Sequence, residues 1–412
     1  MIRIIPLKIE SEAKAKRLLA SIGVSRQGVK ILAPKSLPLA FRIDGISSVE
    51  ANIIKQNLLS LGTDSAIEKD ALIKRIKTKT IIFGSLNQLK RLCKKLNNQP
   101  FGLREVSTEI STCLNNLFKK EFIFKARDKV LKIKEAVICG IINLTPDSFS
   151  QDGLLKEMQN ARQSAGRAGK MKSLVLKKAG EMIKNGAKII DLGGESTRPF
   201  SRAIKEEEEI RRVIPALKAI RKEFKKIIIS LDTYKYKVAK VGAEEGVDII
   251  NDITAFNHSP RMASLIKNYK LGCVLMHMKG SPATMQVNPS YTDVVEEIID
   301  FFGERLKFFK GEGLTDEQIV IDPGIGFGKR LEDNIKIINE LYKFKIFGLP
   351  LFLGLSRKSF IAGVLNVQVG ERLTGTIAAS CCALIKGANI LRVHDTKEIR
   401  EAVKITSHIF NN

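Results

Sequence analysis

The residues best suited to chemistry in this chain are polar ones that follow short apolar runs in its last two-thirds. Eight such runs end at Ile142, Ile190, Leu231, Ile250, Leu275, Ile321, Leu353 and Val393. In seven cases Asp, Asn, Ser, Thr, Arg, Lys or His begins at or beside the next position, and after Leu353 such residues begin at Ser356. In a parallel β/α barrel the strands are buried, and the loops at their carboxyl ends build the active site. The pattern therefore predicts that these polar residues share one face of a barrel.

The loops after the first, second and eighth runs carry groups suited to an anion. The second loop, 191–199, contains two glycines, two hydroxyl residues and Arg198, whose planar guanidinium suits phosphate or carboxylate. Arg392 and His394 follow the eighth run, and Asn143 follows the first. Because the strand ends of a barrel converge, we expect these side chains to surround one anion. The amide oxygen of Asn143 would suit Mg²⁺ shared with phosphate oxygens.

The middle runs are followed by groups of a different kind. Asp232, Asn251 and Asp322 come after the third, fourth and sixth runs, and Lys358 comes after the seventh. Carboxylates and an amide around a buried pocket can accept and donate hydrogen bonds along the edge of a flat heterocycle, while a lysine donates to its ring nitrogen or carbonyl. No Ser-His-Asp or Cys-His order stands out. An anionic leaving group above a polar heterocycle indicates a transferase more than a hydrolase.

The elements that must position these groups alternate regularly from Ala136 onward, in the order strand, polar loop, helix. Eight such units over residues 135–412 predict a single (β/α)₈ TIM barrel of the α/β class. A doubly wound open sheet is the alternative, but no G-x-G-x-x-G follows the first strand.

Residues 1–134 lack this repeat and predict a small basic α+β domain of unknown role. They hold 27 Lys and Arg against 11 Asp and Glu, whereas residues 135–412 hold 42 against 33. The excess charge lies mostly in the smaller domain and says little about the barrel. The chain has no Trp, RNA-binding signature or interleaved aromatics with glycine, so we expect no nucleic-acid partner.

Cysteine usage and hydropathy predict a soluble cytoplasmic protein. The six cysteines include no C-x-x-C pair and no clustered histidines, which argues against a zinc site. No apolar run approaches the roughly 20 residues that span a bilayer, so no membrane partner is expected.

Eight motifs of the chain, in order, resemble those of the dihydropteroate synthase family, whose members are pterin-binding TIM barrels. The motifs are 141–150, 193–199, 231–235, 249–253, 276–278, 322–329, 356–359 and 392–395. Together they cover the predicted barrel. The region before residue 135 and a basic insertion at 156–178 lie outside the core resemblance.

The resemblance implies roles for individual residues. The implied substrate contacts are Ser196, Thr197, Pro199, Asp232, Asn251, Met276, Asp322, Phe327, Lys358, Ser359, Arg392, Val393 and His394. The implied catalytic groups are Arg198, Lys358, Arg392 and His394, and the implied Mg²⁺ ligand is Asn143. In this assignment Asp232, Asn251, Asp322 and Lys358 hold the pterin ring, while Arg392 and His394 contact the diphosphate.

The reaction implied by the resemblance condenses (7,8-dihydropterin-6-yl)methyl diphosphate with p-aminobenzoate to give 7,8-dihydropteroate and diphosphate in folate biosynthesis. The resemblance also implies Mg²⁺ as cofactor and a homodimer formed through barrel helices. Two alternatives stay open, a pterin-binding methyltransferase and a non-catalytic pterin-binding subunit.

Overall fold

The computed structural model describes residues 7, 9–72, 74, 76–145, 167–196, 201 and 203–411. It divides the chain into two compact units, Met1–Phe118 and Lys119–Asn412. The first unit ends earlier than the expected boundary between residues 134 and 135, and the packing of the second unit gives the reason.

The first unit is an α+β structure built on a three-stranded antiparallel sheet in the order β1, β3, β2. The strands are β1 (Pro38–Ser47), β2 (Ser65–Ile67) and β3 (Lys77–Ser85). The helices are α1 (Glu12–Ser21), α2 (Arg26–Leu32), α3 (Ser48–Leu59), α4 (Leu86–Leu96) and α5 (Leu103–Leu117). Burial alternates along β3, and Ile82 packs in a core with Leu58 of α3 and Leu89 of α4. The α+β prediction for this region is confirmed.

The second unit contains eight parallel strands, as the eight apolar runs predict. They are β6 (Val137–Asn143), β7 (Ala187–Gly193), β8 (Ile228–Asp232), β9 (Ile249–Asp252), β10 (Gly272–Met276), β11 (Ile319–Asp322), β12 (Phe352–Gly354) and β13 (Ile390–Val393). The sheet order is β11-β10-β9-β8-β7-β6-β13-β12. A parallel bridge between Ile321 and Leu351 joins its two ends, so the sheet closes into a barrel.

Helices surround the barrel and bury the outward side chains of the strands. They are α6 (Arg167–Lys184), α7 (Glu206–Glu223), α8 (Tyr236–Glu244), α9 (Arg261–Tyr269), α10 (Val294–Gly311), α11 (Leu331–Asn339), α12 (Ser359–Leu365), α13 (Leu373–Ile385) and α14 (Thr396–Asn411). Outward strand residues such as Ile190, Leu231 and Val393 pack with them in one large core. Within the described ranges, no helix combines the length and apolarity needed to cross a membrane.

A β-hairpin, β4 (Phe122–Ala126) and β5 (Lys129–Ile133), closes the amino-terminal end of the barrel. Its Phe122 and Phe124 pack among inward residues of the barrel strands. The hairpin lies so close that a Cβ on Gly272, the first residue of β10, would be 2.6 Å from the Phe124 ring. Lys129 also forms a 2.6 Å ion pair with the buried Asp248. The hairpin therefore belongs to the barrel, and this is why the unit begins at Lys119.

Candidate active site

A polar layer lies inside the barrel directly above the apolar one. Because strand side chains alternate, every second residue points inward. The inward apolar layer includes Ile189, Ile249, Val274, Val320, Phe352 and Ile390. Two positions further along, the same strands carry Asp191, Asn251, Met276, Asp322, Gly354 and Arg392. With the hairpin filling the other end, the polar groups lie at the carboxyl end of the barrel, which we call its mouth.

Arg392 spans the floor of this mouth between two carboxylates. Its Nε donates to Oδ2 of Asp191 at 2.6 Å, and its Nη2 donates to Oδ2 of Asp232 at 2.6 Å. The amide of Asn251 also donates to Asp191, at 3.4 Å. Burial opposes the charge of Arg392, but the Asp191 and Asp232 carboxylates outweigh it and raise the pKa of the guanidinium. Two anchored N–H groups fix the position and the plane of the guanidinium.

The floor carboxylates are desolvated. Burial raises the pKa of Asp232 to about 7 against the opposing charge of Arg392, and the nearby Asp191 contributes to the rise. Burial also raises the pKa of Asp322, against the opposing charge of Lys358. Such carboxylates gain most from a ligand that brings N–H donors, as a flat heterocycle with amino and ring N–H groups does.

Lys358 reaches the same space from the loop after β12. Its Nζ donates to the carbonyl of Ile325 and lies 4.7 Å from the centroid of the Phe327 ring. A Cβ on Gly354 would be 3.6 Å from this Nζ, an ordinary contact distance, so the lysine lies against the end of β12. Burial lowers the pKa of Lys358 to about 8, opposed by Asp322. The lysine is therefore a hydrogen-bond donor held at the pocket wall.

An apolar cluster that includes Phe327 lies beside Lys358 at the same end of the barrel. Ile253, Met276, Met285 and Phe327 are buried together, and Tyr234 packs against them. Methionine and aromatic side chains of this kind suit the face of a planar ring.

The glycine-rich loop after β11 is shaped by close backbone approach. Gly324 has φ +71°, and a Cβ there would lie 1.9 Å from the carbonyl oxygen of His277. Lys329 Nζ lies 3.0 Å from His277 Nδ1 and donates to the Phe327 carbonyl at 3.0 Å. Burial lowers the pKa of Lys329 to about 7. Burial, reinforced by the Lys329 charge, lowers the pKa of His277 to about 2. His277 is a structural partner of this loop.

The remaining polar groups lie around the upper edge of the mouth. His394 Nδ1 is 3.0 Å from Ser356 Oγ, and Arg357 forms a two-bonded ion pair with Asp395, so the loops after β12 and β13 are joined twice. Asn143, at the end of β6, has its Oδ1 only 3.2 Å from where a Cβ of Gly193 would lie.

The structure brings most of the predicted site residues together and separates a few. The carboxyl end of the barrel holds Asp232, Asn251, Met276, Asp322, Phe327, Lys358 and Arg392, and Asn143 and His394 follow β6 and β13 at the same end. Arg392 lies on the floor between carboxylates and not among the edge residues. The side chain of Val393 packs in the outer core, and Ser359 is exposed at the first position of α12. Thr197, Arg198 and Pro199 lie outside the described residues.

Asp191 is a buried residue of the polar layer that the sequence patterns do not single out. They predict it as the start of the second loop, yet it lies inside β7, fully buried, with Oδ2 on Arg392. Its Oδ1 has no protein partner within the described part of the chain. Strand alternation contained a signal for it, because Asp191 comes two residues after the inward Ile189.

Comparison with known proteins agrees with this geometry. The sequence model of the pterin binding enzyme family matches residues 139–394. A dihydropteroate synthase of Clostridium beijerinckii is 42% identical over 273 residues, covering 66% of this chain and 93% of the relative. A structure of Xanthomonas albilineans dihydropteroate synthase with 4-aminobenzoic acid superposes with a TM-score of 0.62 at 31% identity, covering 70% of this chain and 98% of that one.

One relative extends over both units. A bifunctional dihydropteroate synthase/dihydropteroate reductase of Helicobacter pylori is 31% identical over 394 residues, which is 95% of this chain and 95% of the relative. The family match, over residues 139–394, includes the inward polar layer from Asp191 to Arg392. The chain therefore belongs to the dihydropteroate synthases, the pterin-binding transferases that form a carbon–nitrogen bond.

Proposed function

We propose that the barrel mouth condenses (7,8-dihydropterin-6-yl)methyl diphosphate with p-aminobenzoate in folate biosynthesis, with each predicted residue in a defined role. The observation that carries this proposal is the inward layer in which Arg392 spans Asp191 and Asp232 beside Asn251 and Asp322. This layer offers acceptors to a heterocycle and a fixed cation to an anion in one pocket.

The pterin ring lies on the floor in this proposal. Asp232, Asn251 and Asp322 exchange hydrogen bonds with its N–H edge, and Lys358 donates to its ring nitrogen or carbonyl. Met276 packs against the face of the ring, as its place in the apolar cluster allows. Each hydrogen bond from the ring satisfies a buried polar side chain. A ring that lacks the N–H groups would leave these side chains unpaired and would therefore bind more weakly.

The bond between the pterin methylene and the diphosphate oxygen breaks first, and the electron pair leaves on the diphosphate. The arylamine nitrogen of p-aminobenzoate then attacks the methylene carbon and loses a proton to complete the new carbon–nitrogen bond. Arg198, Lys358, Arg392 and His394 are the proposed catalytic groups, because cations and donors close to the departing oxygens stabilise the developing charge. Ser196 contacts the diphosphate.

The amine side of the pocket is the third proposed part. Phe327 and Lys358 lie at the pocket wall, and Ser359 begins the neighbouring helix. Thr197, Pro199 and the backbone beside Val393 complete the proposed substrate contacts. An aromatic wall and nearby donors suit an arylamine that carries a carboxylate.

Mg²⁺ is the proposed cofactor, with Asn143 as its protein ligand. A hard dication takes neutral amide oxygens and usually keeps waters and substrate phosphate oxygens as its other ligands. The Asn143 Oδ1 faces the glycine at position 193, and the Asp232 carboxylate borders the same space, so oxygen donors suited to this role lie together there. When bound with the diphosphate, the ion would neutralise part of its negative charge.

A homodimer is the proposed assembly. Apolar side chains of the last three helices are exposed, and α13 packs against both α12 and α14. These side chains are Val364 and Leu365 of α12, Ile385 of α13, and Ile405, Ile409 and Phe410 of α14. A contiguous patch of exposed apolar groups marks an interaction surface, and we propose that these side chains form one. Light scattering should give twice the chain mass, and Ile405→Glu with Ile409→Glu should give the monomer; a monomeric native protein would contradict the proposal.

We also propose that the protein resides in the cytoplasm. All six cysteines are free, and Cys139 and Cys273 are deeply buried. Free thiols persist in reducing compartments. Fractionation should recover the protein with soluble cytoplasmic markers.

A second activity, reduction of the dihydropteroate product, is proposed because the Helicobacter pylori alignment covers the first unit as well as the barrel. The reaction would add a hydride to C6 and a proton to N5 of the dihydropterin ring, with a reduced nicotinamide as donor. The full chain with dihydropteroate should oxidise the nicotinamide, with or without added flavin. If the nicotinamide is not oxidised under either condition, the proposed reductase activity is refuted.

The synthase assay tests the main proposal. Purified protein with both substrates and Mg²⁺ should release diphosphate and form dihydropteroate in equal amounts. Binding of pterin without turnover would favour a non-catalytic subunit, and methyl transfer from a methyl donor in place of condensation would favour the methyltransferase alternative.

A further inference from the structure

One buried lysine contacts described residues near both ends of the second loop, which in the structure is the connection between β7 and α7 that begins at Gly194 and ends at Lys205. Lys235 Nζ donates to Oε2 of Glu195 near the beginning of the loop and to the carbonyl of Ile204 at its end, the latter at 2.7 Å. Its third contact is Oε2 of Glu209 on α7, at 2.7 Å. A lysine ammonium has three N–H donors, so this side chain uses all of them on the loop and its supporting helix.

The cluster is shielded from water. The exposed fractions of the Lys235, Glu195 and Glu209 side chains are 8%, 7% and 1%. Burial opposes the charge of Lys235, but the two carboxylates outweigh it and raise its pKa. Removing one member of a buried charge cluster leaves the others unpaired, which costs far more than the loss of an exposed pair. The contacts therefore hold the loop ends firmly.

Further contacts support the first turn of the same loop. A Cβ on Gly194 would lie 2.6 Å from Val213 of α7, so this glycine lets the loop approach the helix. The carbonyl of Gly194 accepts from Arg212 at 2.9 Å, and the carbonyl of Ser196 accepts from Ser201 Oγ at 2.5 Å.

The cluster is also connected to the pocket. Tyr234 OH donates to Oε1 of Glu195 at 3.3 Å, and the Tyr234 ring packs against the apolar cluster that forms the pocket wall. Lys235 follows the floor residue Asp232 by three positions on the same connection. A change at Lys235 is thus transmitted to the second loop, while the floor carboxylate keeps its own contact with Arg392.

We propose that Lys235 is a positioning residue, which fixes Glu195 and Ile204 and thereby places Ser196 over the barrel mouth for turnover. Glu195 and Glu209 are its partners in this role. The inference rests on the proposed function, because the loop is assigned to diphosphate and amine handling. It predicts that loss of Lys235 damages turnover far more than it damages binding of the pterin ring on the floor.

Lys235→Met tests the proposal, since methionine is unbranched and similar in length but carries no charge. We expect kcat/KM for condensation to fall by about 10²-fold, the usual effect of misplacing reacting groups. The affinity for 6-hydroxymethyl-7,8-dihydropterin, a probe without diphosphate measured by calorimetry, should change less than about threefold. Lys235→Arg keeps a cation, so its kcat/KM should be at least about tenfold higher than that of Lys235→Met.

Lys237→Met is the matched control. Lys237 in α8 forms a 2.6 Å ion pair with Glu207 in α7. Unlike the members of the buried cluster, these two side chains are 53% and 67% exposed. Exposed pairs of this kind contribute little, so we expect both turnover and pterin affinity to stay within about twofold of the native protein.

The outcomes separate the inference from the function on which it rests. An inactive native protein refutes the proposed function, whereas an active native protein with Lys235→Met equal to Lys237→Met refutes the positioning role. Parallel loss of turnover and pterin affinity in Lys235→Met also contradicts it. If Lys235→Met does not fold, Glu195→Gln, which keeps the shape of the side chain, must show the same separation of turnover from pterin affinity.

Discussion

At the scale of single residues, the site depends on how three side chains share charge. Arg392 lies between Asp191 and Asp232, and Asp191 is the more deeply buried partner. In the proposed function, Asp191 balances the charge of the guanidinium, and Asp232 accepts hydrogen bonds from the pterin. Removing either carboxylate alters the other through the shared arginine.

Asp191→Asn is expected to reduce both stability and substrate affinity. The loss of one partner of a buried pair costs about 3–5 kcal/mol in the free energy of unfolding. Arg392 would then pair with Asp232 alone, and the affinity for the pterin probe should fall at least about tenfold, a change of 1.4 kcal/mol. Denaturant unfolding and calorimetry measure the two effects. Asp316→Asn, in an exposed pair with Lys310, is the control, and equal behaviour of the two variants would contradict the role of Asp191.

Pterin binding should depend on pH through Asp232. Because burial raises the pKa of this carboxyl to about 7, the acceptor form is depleted as the pH falls below that value. Asp322, whose pKa burial also raises, acts in the same direction. Calorimetry between about pH 5 and 8 should show affinity for the pterin probe rising with pH and levelling above about 7. In Asp232→Asn the affinity should be lower and the slope smaller; an unchanged slope would assign the titration elsewhere.

At the scale of elements, the glycine-rich loop after β11 determines where Phe327 and Lys358 meet. Gly324 contacts the backbone of the loop after β10, and Lys329 binds His277 and the Phe327 carbonyl underneath. The loop is thus fixed by backbone geometry and one buried amine. Motif letters identify such a loop, but only its packing against His277 explains the glycines.

Gly324→Ala is expected to disrupt this loop. The new Cβ would meet the His277 carbonyl oxygen at 1.9 Å, and φ is +71°, so the backbone must move. We expect a loss of stability of at least about 2 kcal/mol, because strain is added to the lost packing, and a loss of turnover of at least about tenfold. Thermal unfolding and the synthase assay are the measurements. Gly303→Ala in α10 has open space and should be neutral or stabilising.

At the scale of the whole molecule, the chain is two compact units joined at Phe118 and Lys119. The hairpin 122–133 follows the junction and packs inside the barrel's amino-terminal end. The sequence placed the boundary near residue 134, because the charged and apolar residues of 118–134 alternate as they would in any edge strand. Only the closed barrel shows that the apolar face of this segment fills the amino-terminal end of the barrel.

Two truncated proteins distinguish these boundaries. A chain that begins at Lys119 keeps the hairpin and should remain soluble and active as a synthase. A chain that begins at Lys134 lacks Phe122 and Phe124, exposes the inner apolar layer and should aggregate or lose its cooperative thermal transition. Solubility, thermal unfolding and the synthase assay measure the difference; a well-folded protein beginning at Lys134 would show that the hairpin is dispensable.

The sequence by itself determined the eight strands, their arrangement as a barrel and most of the polar residues at their carboxyl ends. These follow from local patterns, because buried strands are apolar and polar groups begin where strands end. The substrate contacts at Val393 and Ser359 are implied by the resemblance alone. Neighbours in a motif need not face the same side, and the side chain of Val393 points outward from the barrel into the helix layer, away from Arg392.

The tertiary structure decided which polar groups contact each other. Asp191 and Arg392 are 201 positions apart, and the partners of Lys235 precede it by 26 to 40 positions. No local spacing encodes such pairs, since they exist only after the sheet has closed and the inward side chains have been brought to the same layer. Barrel closure therefore decided that Arg392 belongs to the floor and that the hairpin belongs to the barrel.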